Sequence, residues 1–159
     1  MKNEIERKFF VKELPDLSKL EPLHYERYYL ENSNGKEVRI SKVNETYIYE
    51  EKLEISKLER TTSKKEISKT EFNKLKQQAL KGLIRDSYQL SNNPDISIKI
   101  YNGRFEGLIR AEVEFNSEED AMYFVPLEWM GEEMTDLPIA RDGKLIELTD
   151  QEFKKYIGK

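Results

Sequence analysis

Glu4-Ile5-Glu6-Arg7-Lys8-Phe9, close to the start of the chain, is the stretch on which the fold turns. Side chains of an extended strand alternate between two faces, so Glu4, Glu6 and Lys8 share one face while Ile5, Arg7 and Phe9 share the other. The usual pattern is inverted here: one face is wholly ionisable, and the apolar face carries an arginine. Either the charged face meets solvent, or it lines a barrel whose outer face is packed by helices. A second stretch repeats the oddity, with Arg110, Glu112 and Glu114 set against Ala111, Val113 and Phe115. Solvated faces laced by cross-strand ion pairs, each of small worth, would account for both stretches. Four glutamates turned toward one interior would instead repel one another and need cations to stay ionised.

Outward from these two stretches, short alternating segments separated by turn residues predict a mainly β protein. The expected strands are Asn3 to Val11, Tyr25 to Asn32, Lys36 to Val43, Thr46 to Leu53, Thr61 to Ser68, Leu83 to Leu90, Ile96 to Tyr101 and Leu108 to Phe115. Asn34-Gly35 and Asn44-Glu45 read as hairpin turns. Three helices are expected: one capped by Thr70 and running to Leu80 with Phe72, Leu75 and Leu80 on its apolar face, one capped by Ser117 and limited by Pro126, and a short one from Asp150 to Tyr156. No repeat or linker divides residues 1–159, so a single domain is expected.

Composition narrows the chemistry. With no cysteine, disulfides, thiolate metal sites and cysteine nucleophiles are excluded. The one histidine, His24, does not support a histidine-rich metal site. Charged residues make up 36% of the chain, yet 27 basic against 31 acidic side chains leave a net charge of −4, which gives no general attraction to nucleic acid or to an anionic membrane. Neither a signal peptide nor a run of roughly 18 apolar residues is visible, and a cytoplasmic protein is the expectation. A polyanionic ligand would have to be held locally. Converged carboxylates offer hard oxygen ligands suited to Mg2+ or Mn2+. Arg39, Lys52, Arg85, Lys99 and Arg110, inward by the same parity, could hold phosphate oxygens.

Glu4-x-Glu6-x-Lys8 followed by Phe9 resembles the signature that opens the CYTH domain, or triphosphate tunnel metalloenzyme, family. The likeness continues in order through Tyr29-Leu30, Glu37-Val38-Arg39-Ile40, Lys52, Lys65-Glu66-Ile67, Asn102-Gly103, Gly107-Leu108, Ala111-Glu112-Val113-Glu114-Phe115, Pro126, Trp129 and Gly131-Glu132-Glu133-Met134-Thr135. It implies an eight-stranded antiparallel β barrel forming a tunnel, with a few flanking helices, and metal-dependent hydrolysis of a small triphosphate: inorganic triphosphate first, with thiamine triphosphate or a nucleoside triphosphate as alternatives. Adenylate cyclisation also occurs in the family. By resemblance, Glu4, Glu6, Glu112 and Glu114 are expected as catalytic and metal-binding carboxylates, with Mg2+ or Mn2+ as cofactor. Lys8, Arg39 and Lys52 are expected to grip the triphosphate, Arg85, Lys99 and Arg110 to assist, and Glu66 and Glu133 to stand as further tunnel residues. A homodimer is compatible with the sequence.

Three positions depart from the family pattern. Ser41 stands where a second arginine commonly follows Arg39, Ser87 stands where an arginine follows Arg85, and Lys99, thirteen positions before Glu112, stands at the place of an acid. Missing arginines weaken the grip on a polyanion, while a lysine in an acid's place can substitute locally for a metal. A module that binds triphosphate or another phosphorylated metabolite without turnover is therefore the alternative to an enzyme.

Overall fold

The alternating segments become strands in the computed structural model, which describes residues 2–56 and 58–158. In chain order the elements are β1 (Lys2–Val11), β2 (Leu23–Ser33), β3 (Lys36–Val43), β4 (Thr46–Glu54), β5 (Glu59–Ile67), α1 (Lys69–Lys76), β6 (Lys81–Asn92), β7 (Asp95–Asn102), β8 (Ile109–Phe115), α2 (Glu118–Tyr123), β9 (Met130–Glu133), α3 (Asp142–Leu145) and α4 (Asp150–Tyr156). Eight strands lie side by side in the order β5-β4-β3-β2-β6-β7-β8-β1, and β1 pairs back onto β5 to close an antiparallel barrel. Closure satisfies backbone groups that an open sheet would leave at its edges. The closing edge of β1 is shared: Asn3 pairs with Thr61 near its start, and Phe9 with Glu133 of β9 near its end. Between them the Glu6 N–H donates to the Leu58 carbonyl at 3.2 Å and the Lys8 N–H to Thr135 Oγ1 at 2.9 Å.

Local chemistry explains the connections. Asn34 and Gly35 both have positive φ, 52° and 76°, as a two-residue hairpin turn with the twist of its strands demands. Asn44, at φ 54°, serves the next hairpin. Ser117 caps α2 by accepting the Asp120 N–H, and Thr149 with Glu152 forms a reciprocal capping box on α4. The first helix differs from expectation. Its cap is Ser68, whose Oγ accepts the Glu71 N–H, and it ends at Lys76. Thr70 lies inside the first turn, and Leu80 is 64% exposed because the chain has already left the helix to enter β6.

The barrel is apolar on the outside where its helices sit. Ile40 and Ile67 are covered by Phe72 of α1, and Phe9, Ile96, Ala111 and Val113 form a second cluster with Phe124 and Trp129. Truncating a buried aromatic such as Phe72 to alanine costs about 3–5 kcal/mol in such settings. Arg7 fits this apolar wall because its head group is fully occupied: it donates to the Ala121 and Phe124 carbonyls at 2.8 and 3.0 Å, pairs with Glu133, and lies over the Phe9 and Phe124 rings. It thereby satisfies carbonyls that the end of α2 leaves without intrahelical partners.

One end of the bore is filled. Tyr29, Leu83 and Tyr101, pointing inward from β2, β6 and β7, pack against Ile139, Leu145, Ile146 and Phe153 from the C-terminal segment. The opposite end carries the site. Among the described residues no helix is long and apolar enough to cross a membrane.

Candidate active site

Strand parity turns the charged faces of β1 and β8 into the bore, and register sets them against one another. Glu6 lies opposite Glu114, and Lys8 opposite Glu112. On the other side of β8, Asp95 is opposite Glu114, Ser97 opposite Glu112 and Lys99 opposite Arg110. The result is a cavity of about 320 Å³ inside the barrel. Glu4, Glu6, Lys8, Glu112 and Glu114 all line it, and so do Arg39, Lys52, Arg85, Lys99 and Arg110. Glu66 and Glu133 do not. Glu66 is exposed near the end of β5, on the face of Arg60 and Lys64 but past the cavity, and Glu133 faces outward to Arg7 and Thr135. Glu133 has the parity of the helix-covered face, whereas Glu66 has the inward parity but lies beyond the cavity, so neither lines it.

The floor is built around Asp142, the first residue of α3 and only 4% exposed. Arg27 Nη1 donates to its Oδ2 at 2.6 Å, Arg85 Nε to the same oxygen at 3.0 Å and Arg110 Nη2 to Oδ1 at 3.2 Å, with the Tyr101 hydroxyl donating to Oδ1 as well. Burial would raise this carboxyl's pKa, but the Arg85, Arg110 and Arg27 guanidinium groups overcome it and hold the group well below the ordinary range. Glu112 behaves alike: burial opposes its ionisation, while Arg110, Lys99 and Lys8 keep it ionised. Arg110 binds Glu112 at 2.8 Å through Nε, and Arg39 binds Glu50 at 3.1 Å.

The lysines are held differently. Lys52 contacts Glu4, yet burial and the nearby Arg39 and Arg60 charges lower its pKa to about 8. Lys99 donates to Ser87 Oγ at 2.6 Å, and burial together with Arg85 and Arg110 likewise brings it to about 8 against the pull of Glu112 and Glu6. Lys8 is 6% exposed, and burial lowers its pKa although Glu6 and Glu112 favour its charge. Its ammonium makes no hydrogen bond or ion pair within 4 Å among the described residues. Arg85 Nη1 is also buried without a hydrogen-bond partner. Donors of this kind, aimed into a polar cavity, are ready for ligand oxygens.

The departures seen in the sequence take concrete form. Ser41 accepts a 3.0 Å bond from Arg27 Nε, so a guanidinium from the neighbouring strand β2 occupies the space beside the serine. Ser87 is the acceptor for Lys99. Arg27 was legible, since it shares inward parity with Tyr25 and Tyr29. Glu50 and Arg60, also lining the cavity, share parity with Lys52 and Thr62. Asp142 carried no such signal, because it lies outside the strands.

The carboxylates suit a hard divalent cation by type, and the opposed Glu6 and Glu114 would be relieved by one. Glu4 is turned to Lys52 and Glu112 to Arg110, and among the described residues no set of three or more acidic or histidine side chains is gathered for a metal. Among the described residues, nine cationic and seven anionic side chains line the cavity, an excess of two positive charges in a wall with little apolar surface. Such a chamber can neutralise a compact polyanion.

No protein-family model matches the sequence. An inorganic triphosphatase from Nitrosomonas europaea is 32% identical over 138 residues, spanning 84% of this chain and 89% of that protein. A crystal structure of an inorganic triphosphatase superposes with a TM-score of 0.68 at 27% identity, over 92% of this chain and 99% of the other. A conserved protein of Pyrococcus furiosus shares the fold, with a TM-score of 0.58 at 16% identity over 80% of this chain and 94% of that one.

Proposed function

We propose a triphosphatase function from one premise: the chain belongs to the CYTH-type family that includes the inorganic triphosphatase of Nitrosomonas europaea. In its fuller form the reading is a triphosphate tunnel metalloenzyme acting on inorganic triphosphate. The observation that carries it is the cavity itself, whose excess of cations and whose unsatisfied Arg85 Nη1 match a small polyanion and offer no apolar bed for a base.

Lys8, Lys52 and Lys99 reach phosphate oxygens from the walls, while Arg39, Arg85 and Arg110 hold charge at fixed positions deeper in the bore. Glu4, Glu6, Glu112 and Glu114 would hold Mg2+ or Mn2+, which, when bound, lowers the negative charge of the triphosphate and stabilises the departing diphosphate. A glutamate of this set orients the water that attacks the terminal phosphorus and takes up its proton. Fixed charges in the cavity stabilise the charge that develops on the leaving oxygens, and this positioning supplies most of the acceleration.

Phosphate release from triphosphate with Mg2+ or Mn2+ tests the reading, and Glu6→Gln should abolish it while leaving the fold intact. Absence of release from triphosphate, thiamine triphosphate and ATP alike sinks it. A second reading, binding without turnover, is favoured by Lys99: its ammonium, hydrogen-bonded to Ser87, already supplies positive charge where an acid would recruit metal. Calorimetry showing tight triphosphate binding by a protein that releases no phosphate selects that reading.

A further inference from the structure

We propose that Asp142 sets how long a linear phosphate chain the cavity admits, an assignment that rests on the triphosphate reading of the site. Three guanidinium groups and a phenol hydroxyl converge on its two oxygens, which is the donor set a phosphoryl group would otherwise take. The carboxylate is therefore an anion supplied by the chain itself, at the innermost position of the bore. Behind it the space is filled by Tyr29, Tyr101, Ile139 and Leu145, so no phosphate can pass beyond.

The seat of this carboxylate is set from several sides. Asn32 Nδ2 donates to the Gly143 carbonyl at 2.6 Å, and a side chain at Gly143 would come within 2.5 Å of Glu37 Oε2. A side chain there would displace the Glu37 carboxylate from Arg60 and Arg39, so glycine favours the close approach that brings Asp142 up to its arginines. The opposite rim carries Asp95, Glu6 and Glu114 on three neighbouring strands. A phosphate chain entering from that rim stops at Arg85 and Arg110, where the ionised Asp142 repels it. Any additional phosphoryl unit is left at that rim, beyond the reach of the floor guanidinium groups.

The test is a calorimetric comparison of triphosphate with tetraphosphate for the wild type, Asp142→Ala, which vacates the seat, and the charge-balanced double variant Asp142→Ala with Arg27→Gln. The double variant removes both members of a buried pair, which preserves folding better than removing one. In the wild type, tetraphosphate should bind no more tightly than triphosphate. In the variants, tetraphosphate should gain about tenfold relative to triphosphate, the weight of one additional charge-assisted contact. An unchanged ratio in either folded variant overturns the assignment, as does a wild type that prefers tetraphosphate tenfold. A wild type that binds no triphosphate overturns the triphosphatase reading and the length assignment with it, whereas binding with an unchanged ratio overturns the latter alone.

Discussion

Arginines at the floor of the cavity and lysines on its walls stand within one barrel, yet their charges are kept in opposite ways. Arg27, Arg85 and Arg110 surround Asp142, and their charge is matched by a buried carboxylate before any ligand arrives. Among the described residues Lys8 is drawn by Glu6 and Glu112 without an ion pair to either, Lys99 is hydrogen-bonded to a hydroxyl, and Lys52 shares Glu4 while facing two guanidinium groups. Burial raises the cost of their charge, so the lysines are the groups with most to gain from a polyanion. The floor is therefore structural in the free protein, and the walls hold the unused binding capacity.

The comparison breaks most visibly at Arg110. Replacing it with methionine strips Asp142 and Glu112 of a shared buried partner and should destabilise the fold by about 3 kcal/mol in denaturant titrations. A loss below 1 kcal/mol would show that the floor is not held by its charges. Lys99→Met should do the reverse: it removes a buried charge whose only direct hydrogen bond among the described residues is to Ser87 and whose burial outweighs the pull of Glu112, so stability should hold or rise, while triphosphate affinity falls roughly 10- to 100-fold.

A pH series sharpens the distinction further. Lys52 and Lys99 titrate near 8 in the folded chain, below the ordinary lysine value of 10.5, so between about pH 8 and 10.5 the unfolded state binds more protons than the folded one. These two groups therefore add stability to the free protein as pH rises through that window. Triphosphate favours the protonated lysines, and its affinity should fall several-fold above pH 8. Calorimetry at pH 8 in buffers of different ionisation enthalpy should detect proton uptake on binding, and none would mean that the lysines do not meet the ligand. The smallest effect is expected at Ser41. Its change to alanine removes one acceptor from Arg27 and should cost about 0.5–1 kcal/mol in a thermal melt, with Asp142 still holding the arginine.

Much of the barrel was legible because alternation is local. The inward faces of β1 and β8, the Asn34-Gly35 turn and the Ser117 cap follow from residues within a few positions of one another. The site was legible in the same measure: the ten cavity residues named from the sequence all lie on strands, where parity assigns their direction. Resemblance, not alternation, had placed Glu66 and Glu133: Glu133 has outward parity, and Glu66, though of inward parity, lies exposed near the end of β5 beyond the cavity. The start of α1 shifted because Ser68 and Thr70 are both competent caps, and only the exit of β5 selects between them.

By itself the sequence determined which side chains share a face, and so that glutamates, lysines and arginines would be turned together into whatever β1 and β8 enclosed. Tertiary structure decided that the enclosure is closed by β1 pairing with β5, that Arg27 stands beside Ser41, and that Asp142 seals the floor. Those outcomes depend on pairing between strands far apart in the chain, on the register shift between Tyr29 and Glu31 that sets Arg27 opposite Ser41, and on a C-terminal segment packed into the bore. Asp142 lies 115 residues from Arg27, and no local period links two such positions. Only the packing that brings them together gives the carboxylate its partners.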